Sequence, residues 1–436
     1  MDKTVLIDTN LYLDDAEIIY KLSRSYDKIL IPITVLKELD KHKFNRDLAY
    51  SARNAIRSIL KFLEEHPKKV LFDTDENRLK PNDEAILDIA TKHNATVMTK
   101  DVSMSIIGHS RGINTKLHDV VLNNLFKPYV YIHMDDLQTK SSDDVFAYNQ
   151  TYDEDAYEDV LTLFSKFAGR ELHEDSWFFV IIDINKIKPV IYANNPMTHV
   201  CERIDNCKQY REINVDNTII KARDCYQVCA LYSLSNAPHT LITGRWGSGK
   251  TLLATAHALA NNRKKIFITR APIGISDKYD IGLLPGDTRE KMLNWLQGFM
   301  SSLYYIYANT RNSGEKDGSS YDFVKEEVFP TKFETLALNS IQGLSLLDND
   351  VMIIDEVQLI NVSYMSMLLS RPSESGKLIL LGDIKQTYDV VKPSESGLLK
   401  LLRVLPHKYL AYVELQNSYR SPLLEVADKL QDSTIF

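Results

Sequence analysis

Residues 239–251 read HTLITGRWGSGKT, and LLATAHALA follows directly. A strand-sized apolar run, a glycine-rich turn and a helix-forming stretch in that order leave few folds open. Glycines at 244, 247 and 249 let successive backbone amides point inward, and the start of the following helix adds positive potential. Such a loop, G-x-x-x-x-G-K-[ST], cradles phosphate. Gly244, Gly247, Ser248 and Gly249 are the candidate cradle, Lys250 the group that neutralises the β and γ phosphates, and Thr251 a magnesium ligand. Trp246, inside the loop, reads as a packing residue.

About a hundred residues on, VMIID (351–355) is a buried-strand pattern that ends in Asp355 and Glu356. Acids at the carboxyl end of a strand lie where α/β sheets bind ligands. The pair divides the work of hydrolysis: Asp355 holds magnesium and Glu356 polarises the attacking water as general base. The next such strand, LILLGD, ends in Asp383, with Gln386 one turn further on, a polar pair placed to sense the γ phosphate.

The first half alternates TVLID, ILIPI, KVLF and ATVMT with amphipathic stretches, the pattern of a small α/β domain. Asp8 closes the first strand, Glu38 follows IPITVLKEL, Asp83 stands in PNDEAILDIA and Asp101 closes ATVMTKD. Taken singly, Asp8 and Asp101 read as turn residues, Asp83 as a helix cap and Glu38 as an exposed helical acid. Together, in a parallel sheet, they converge on one crevice. Their mutual repulsion is a cost that bound Mg2+ or Mn2+ would offset.

A chain of 436 residues exceeds one core, and the expected division is 1–133, an acidic linker with a β-rich connector over 134–215, and 216–436. Net charge is −7, so any nucleic-acid contact must use local patches. Arg53, Arg57 and Lys61, four residues apart, form one such patch if their segment is helical. Cys201, Cys207, Cys225 and Cys229 lack zinc-ribbon spacing and read as reduced structural thiols. No apolar run reaches the roughly 20 residues of a membrane span. The start, MDKTVLIDTN, lacks the pattern of a signal peptide, and a cytoplasmic location is the expectation.

GRWGSGKT, TRAPIG, GLLPGD with REK, VMIIDEVQ, LLGDIKQ and SYRSPL, in that order, resemble the PhoH family of ATPases, relatives of superfamily 1 helicases. The resemblance spans residues 216–436 and implies a RecA-like P-loop domain. It further implies that Gln227 contacts adenine, and that Arg420 touches the γ phosphate, across a subunit boundary in a ring-shaped homo-oligomer for which six is the candidate number. Where the family has an Arg-Gly-Arg stretch, this chain reads Ser340-Ile341-Gln342-Gly343-Leu344-Ser345, and two positive charges are missing.

VLIDTN, VLKELDK, ND with AIL, and VMTKD resemble a PIN domain, the metal-dependent ribonuclease fold, over residues 1–126. The resemblance implies that Asp8, Glu38, Asp83 and Asp101 bind metal and that Asp8 and Asp101 serve catalysis, with Asn10 in support and Asp119 a further acid. Ser105 stands where a basic residue is expected. The expectation is an α/β protein that moves along or unwinds single-stranded RNA with ATP and cuts it with a divalent metal. Two alternatives remain: an ATP-gated RNA-binding or assembly ring with a non-cleaving PIN module, and a DNA helicase.

Overall fold

The computed structural model describes residues 3–44, 48–74, 82–117, 125–136, 151–152, 156–186, 188–261, 263–271, 296–308, 322–386, 396–420 and 423. The chain divides into two compact units, the first ending at Leu125 and the second beginning at Phe126.

The first unit is built on five parallel strands in the order β3-β2-β1-β4-β5, comprising β1 (Thr4–Ile7), β2 (Lys28–Pro32), β3 (Val70–Asp73), β4 (Thr96–Thr99) and β5 (Thr115–Leu117). Past Thr4 the central strand β1 is apolar, with Val5, Leu6 and Ile7 fully buried, as suits a parallel sheet covered by helices. The strand order reverses between β1 and β4, and the crevice of such a sheet opens at that switch point. Helix α1 (Thr9–Asp14) starts there directly after β1. Around it stand α2 (Ile18–Leu22), α3 (Ile33–His42), α4 (Ala49–Glu65), α5 (Asn82–Lys92) and α6 (Val102–Ser110). Arg53, Arg57 and Lys61 are exposed along α4, as their spacing predicts.

The second unit contains two sheets and a hairpin. A four-stranded sheet, β6-β7-β8-β9, comprises β6 (Tyr129–Ile132), β7 (Phe179–Ile182), β8 (Val190–Asn195) and β9 (Val200–Arg203), with α7 (Tyr157–Ala168) packed on it. Asn194 and Asn195, which read as turn residues before Pro196, instead finish β8, because the Asn194 side-chain amide donates to the Ser176 carbonyl at 2.7 Å. Strands β10 (Glu212–Val215) and β11 (Thr218–Lys221) form the hairpin, which leads into α8 (Cys225–Asn236).

Six parallel strands follow, in the order β14-β13-β15-β16-β12-β17. These are β12 (His239–Gly244), β13 (Lys265–Arg270), β14 (Phe333–Thr335), β15 (Asp350–Asp355), β16 (Lys377–Gly382) and β17 (Leu410–Leu415). Helix α9 (Lys250–Ala260) leaves the loop after β12, and α10 (Gln297–Tyr307) packs against it. The inner strand β15 and the loop strand β12 are separated by β16 alone, so the ends of all three lie side by side. All four cysteines are free. Among the described residues no helix is long and apolar enough to cross a membrane.

Candidate active sites

The phosphate loop has the backbone its glycines allow. Gly247 and Gly249 adopt φ of +72° and +96°, in the left-handed region that side chains resist. A Cβ on Gly249 would stand 2.9 Å from Gln227 Nε2, and one on Gly247 would strike the Arg420 side chain at 2.4 Å. The buried Ser248 hydroxyl has no partner, an orphaned group at the place where phosphate oxygens would sit. Lys250 curls back to donate to the carbonyls of Gly244 and Arg245, the latter at 3.0 Å. Burial pulls its pKa down, while Asp383, Asp355 and Glu356 push it up and Arg420 pulls it down again.

Thr251 Oγ1 lies 3.4 Å from Asp355 Oδ2, a hydroxyl and a carboxylate side by side, the oxygen donors that a hard divalent cation takes. Burial and the neighbouring Glu356 raise the Asp355 carboxyl to about 6, against the pull of Lys250 and Arg270. Glu356 sits at φ +59° just past β15. One of its oxygens pairs with Arg270 Nη2 at 2.9 Å, and the other accepts from Gln358 Nε2 at 2.5 Å. Gln358 in turn accepts from the Asp383 amide at 3.0 Å, and Gln386 donates to Asp383 at 2.8 Å. Neither Arg270 nor Gln358 was singled out from the sequence. The signal was the end of KIFITR, legible as an arginine at a strand edge but not as the neighbour of Glu356.

Two of the expected site residues meet the phosphate loop of their own chain. The Gln227 carboxamide is committed to its own chain, donating to the Ser248 carbonyl at 2.9 Å and accepting from the Arg223 amide at 2.8 Å. Its observed role is to brace the loop, with one N–H left for a base. The Arg420 side chain lies beside Gly247. The Tyr419 amide donates to the Gly247 carbonyl at 3.0 Å, and the Tyr419 hydroxyl and Asn417 both donate to Asp224, the cap of α8, at 2.5 and 2.9 Å. That strap holds Arg420 against a cleft of about 340 Å³ lined by Gln227, Lys250, Thr251 and Tyr305. Trp246, expected to pack, is 38% exposed at the loop tip. Of the Ser340–Ser345 stretch, the part up to Gly343 ends the 3-10 helix Leu338–Gly343, where Arg371 donates to the Gln342 carbonyl at 2.8 Å. GLLPGD and REK lie outside the described residues.

In the first unit, Asp8 ends β1 and is 3% exposed. Its Oδ2 accepts from Thr99 Oγ1 at 2.8 Å, across the switch point. Burial raises its carboxyl to about 6; the Thr99 bond opposes this, and Asp83 and Glu38 add to it. Asp83, in the first turn of α5, is also raised, by burial and then by Asp101 and Glu38. Glu38 accepts from Thr9 Oγ1 at 2.6 Å. Asp101 does cap α6, accepting from the Ser103 and Met104 amides at 2.7 and 3.1 Å through one oxygen.

The four acids therefore feel one another, and among the described residues no lysine or arginine pairs with any of them. Nor, among the described residues, do three stand close enough to grip one ion together. Uncompensated carboxylates around a buried aspartate are a donor set that suits a hard divalent cation, with water completing its shell. Asn10 is exposed beside them. Ser105 is buried and meets Thr115 Oγ1 at 3.1 Å, so the position where a basic residue was expected faces the core. Asp119 lies outside the described residues.

Comparison with known proteins agrees with both halves. The family described as PhoH-like protein matches residues 219–430, and the PIN domain family matches residues 5–118. Protein PhoH2 of Bacillus subtilis (strain 168) is 25% identical over 430 residues, covering 88% of this chain and 89% of its own. Protein PhoH2 of Mycolicibacterium smegmatis is 23% identical, covering 98% and 96%, and that of Thermobispora bispora is 22% identical, covering 99% and 98%. The order of the matches and their extent agree with the five-stranded and six-stranded parallel sheets described above: this chain is a PIN domain fused to a PhoH-like domain.

Proposed function

We propose that the protein is an ATP-dependent RNA helicase or translocase whose PIN unit is a metal-dependent endoribonuclease. The observation that carries the reading is the pairing of a phosphate loop, faced by Asp355 and Glu356, with a second strand edge where Asp8, Glu38, Asp83 and Asp101 gather uncompensated. The family resemblance supplies RNA as the polymer, single-stranded RNA in particular. The exposed Arg53, Arg57 and Lys61 of α4 are a local cationic surface suited to its backbone.

In the ATPase unit, amides of Gly244–Thr251 and the Lys250 ammonium receive the β and γ phosphates. Magnesium held by Thr251 and Asp355 would neutralise charge on those oxygens. Glu356 takes the proton of a water whose oxygen bonds to the γ phosphorus as the bond to ADP breaks. Arg420 offsets the charge that develops on the γ phosphate, and Asp383 with Gln386 registers its loss. The Arg420 side chain lies beside Gly247 of its own chain, and a homohexameric ring is what the family resemblance supplies. In the PIN unit, Mg2+ or Mn2+ bound among these acids, with water completing its shell, would activate water and stabilise the leaving 3′ oxygen. Asp8 and Asp101 orient that attack, with Asn10 in support.

Cleavage of labelled single-stranded RNA by the wild type and by Asp8→Asn, with Mg2+ or Mn2+ and with or without ATP, tests the reading. Cutting by the wild type alone is expected. Lys250→Ala, run alongside, should lose ATP turnover by about a hundredfold or more while still cutting RNA in the absence of ATP. Equal cutting by the Asp8→Asn protein removes the nuclease claim. No cutting in any condition favours an ATP-gated binding module, and turnover stimulated by DNA but not RNA favours a DNA helicase.

A further inference from the structure

We propose that Asp224 is a positioning residue for ATP hydrolysis: its carboxylate ties the strap that carries Arg420 to the first turn of α8, and so sets where Arg420 stands over the phosphate loop. This rests on the reading of Arg420 as the arginine that offsets charge on the γ phosphate.

The two oxygens of Asp224 have separate tasks. Oδ1 accepts from the Gln227 amide at 2.8 Å and caps α8, while Oδ2 accepts from the Tyr419 hydroxyl at 2.5 Å and from Asn417 Nδ2 at 2.9 Å. A helix cap needs one oxygen, so the second serves the strap alone. The strap in turn grips the loop: the Tyr419 amide donates to the Gly247 carbonyl at 3.0 Å, and the Ser418 hydroxyl donates to the Trp246 carbonyl. From the other side, Gln227 Nε2 donates to the Ser248 carbonyl at 2.9 Å. Successive loop carbonyls at 246, 247 and 248 are thus held by two segments, and those segments meet at Asp224. The Arg223 guanidinium lies over the Tyr419 ring, 5.0 Å from its centroid, and steadies the ring from which that hydroxyl donates.

Arg420 is exposed, and among the described residues no hydrogen bond or ion pair holds its guanidinium. Its stem rests on Gly247, where a Cβ would come within 2.4 Å of it. The place of such a side chain is set by the chain that leads to it. Hydrogen bonds to a carboxylate are stronger than those between neutral groups, so the charge of Asp224 is what stiffens the strap.

ATP hydrolysis by the full chain is measured at steady state and in single turnover, with binding of a fluorescent ATP analogue and thermal melting alongside. The proteins are wild type, Asp224→Asn, Asp224→Asn with Asn417→Asp, Arg420→Ala, and Arg420→Ala with Asp224→Asn. Asparagine caps a helix as well as aspartate does, so Asp224→Asn keeps α8 and turns an N–H towards the donors of the strap. Its kcat should fall about ten- to a hundredfold, the cost of a misplaced group, with KM and analogue affinity within about twofold of wild type. Exchanging the partners, so that residue 224 donates and residue 417 accepts, should recover part of the loss. In the Arg420→Ala background Asp224→Asn should cost nothing more, because a residue that acts through Arg420 then has nothing left to position.

Losses that multiply in that background, or a KM that rises while kcat holds, overturn the proposal and leave Asp224 a helix cap. Should Asp224→Asn fail to fold, Tyr419→Phe, which leaves the cap whole and removes one bond, carries the same cycle with an expected loss of about threefold. Arg420→Ala hydrolysing ATP at the wild-type rate is a different failure: it removes the reading of Arg420 and the proposal with it.

Discussion

Asp8 and Asp355 each end a parallel strand, each is buried, and each is raised to about 6, but their surroundings differ. Asp355 reaches that value with Lys250 and Arg270 pulling it down. Asp8 is opposed only by the Thr99 hydroxyl and the Thr9 amide, with Asp83 and Glu38 adding to the rise. One sheet edge supplies its own cations and a cradle of amides, which suits a polyphosphate. The other is left net negative, which suits a metal ion. Similar topology thus presents opposite electrostatic demands, and the ligand each edge lacks follows from the charge it fails to balance.

The largest effect that would sharpen this contrast comes from the backbone of the phosphate edge. Gly249→Ala forces a side chain onto φ +96° and within 2.9 Å of the Gln227 amide that braces the loop. ATP turnover should fall by about a hundredfold, the scale of losing a placed donor. Metal-dependent RNA cutting without ATP should stay within about twofold, since the metal edge uses no residue of that loop. Loss of both activities together would break the separation of the two edges.

Next in size is the cost of the uncompensated edge. Because the folded pKa of Asp8 lies at about 6, above the 3.8 of the unfolded chain, its ionised form destabilises the fold. The folded state holds the proton more tightly, so stability is greatest below about 4, declines as pH rises through about 6 and stays low above. The linkage amounts to on the order of 3 kcal/mol at pH 8 as an upper figure. Asp8→Asn should therefore increase hydrogen-exchange protection of the β1 and β4 amides at pH 8, with the gain shrinking as pH falls towards 4. Mn2+ should restore much of the protection in the wild type and little in the variant. A variant less protected at pH 8 would mean that the edge is balanced by other means.

How far the sequence reveals these sites depends on whether their parts are local. The cradle was legible because strand, turn and helix follow one another within residues 239–260, and steric demands on Gly247 and Gly249 are set by a few neighbours. The acids of VMIIDE, with Asp8 and Asp101, were legible as strand ends for the same reason, whereas Glu38 and Asp83 stand in helices. The Arg270–Glu356 pair spans 86 residues and exists only because β13 and β15 lie side by side. The strap from Asn417 to Arg420 reaches Asp224 across nearly two hundred residues. No spacing rule reports such contacts. Gln227 shows a further gap: its place in YQVCAL marks it as functional by resemblance, while its commitment to Ser248 depends on how α8 packs on the loop. Ser105 reads as a lost basic contact in the sequence, whereas its position on the buried face of α6 makes it a packing partner of Thr115.

The smallest test bears on the hydroxyl that tempers Asp8. Thr99 donates to Asp8 at 2.8 Å and accepts from the Asp101 amide at 3.0 Å, so it ties the two acids at the switch point. Thr99→Val keeps the shape and removes both bonds. The Asp8 carboxyl, losing the bond that favoured its ionised form, should move further above its present value by about half a unit to one unit. Protons then compete better with metal, so Mn2+ affinity by titration calorimetry should drop several-fold near pH 6 and match the wild type at pH 8.5, where both carboxyls are ionised. An equal loss at both pH values would instead mean that Thr99 positions the acids, and that the charge at this edge is governed by burial and the neighbouring carboxylates alone.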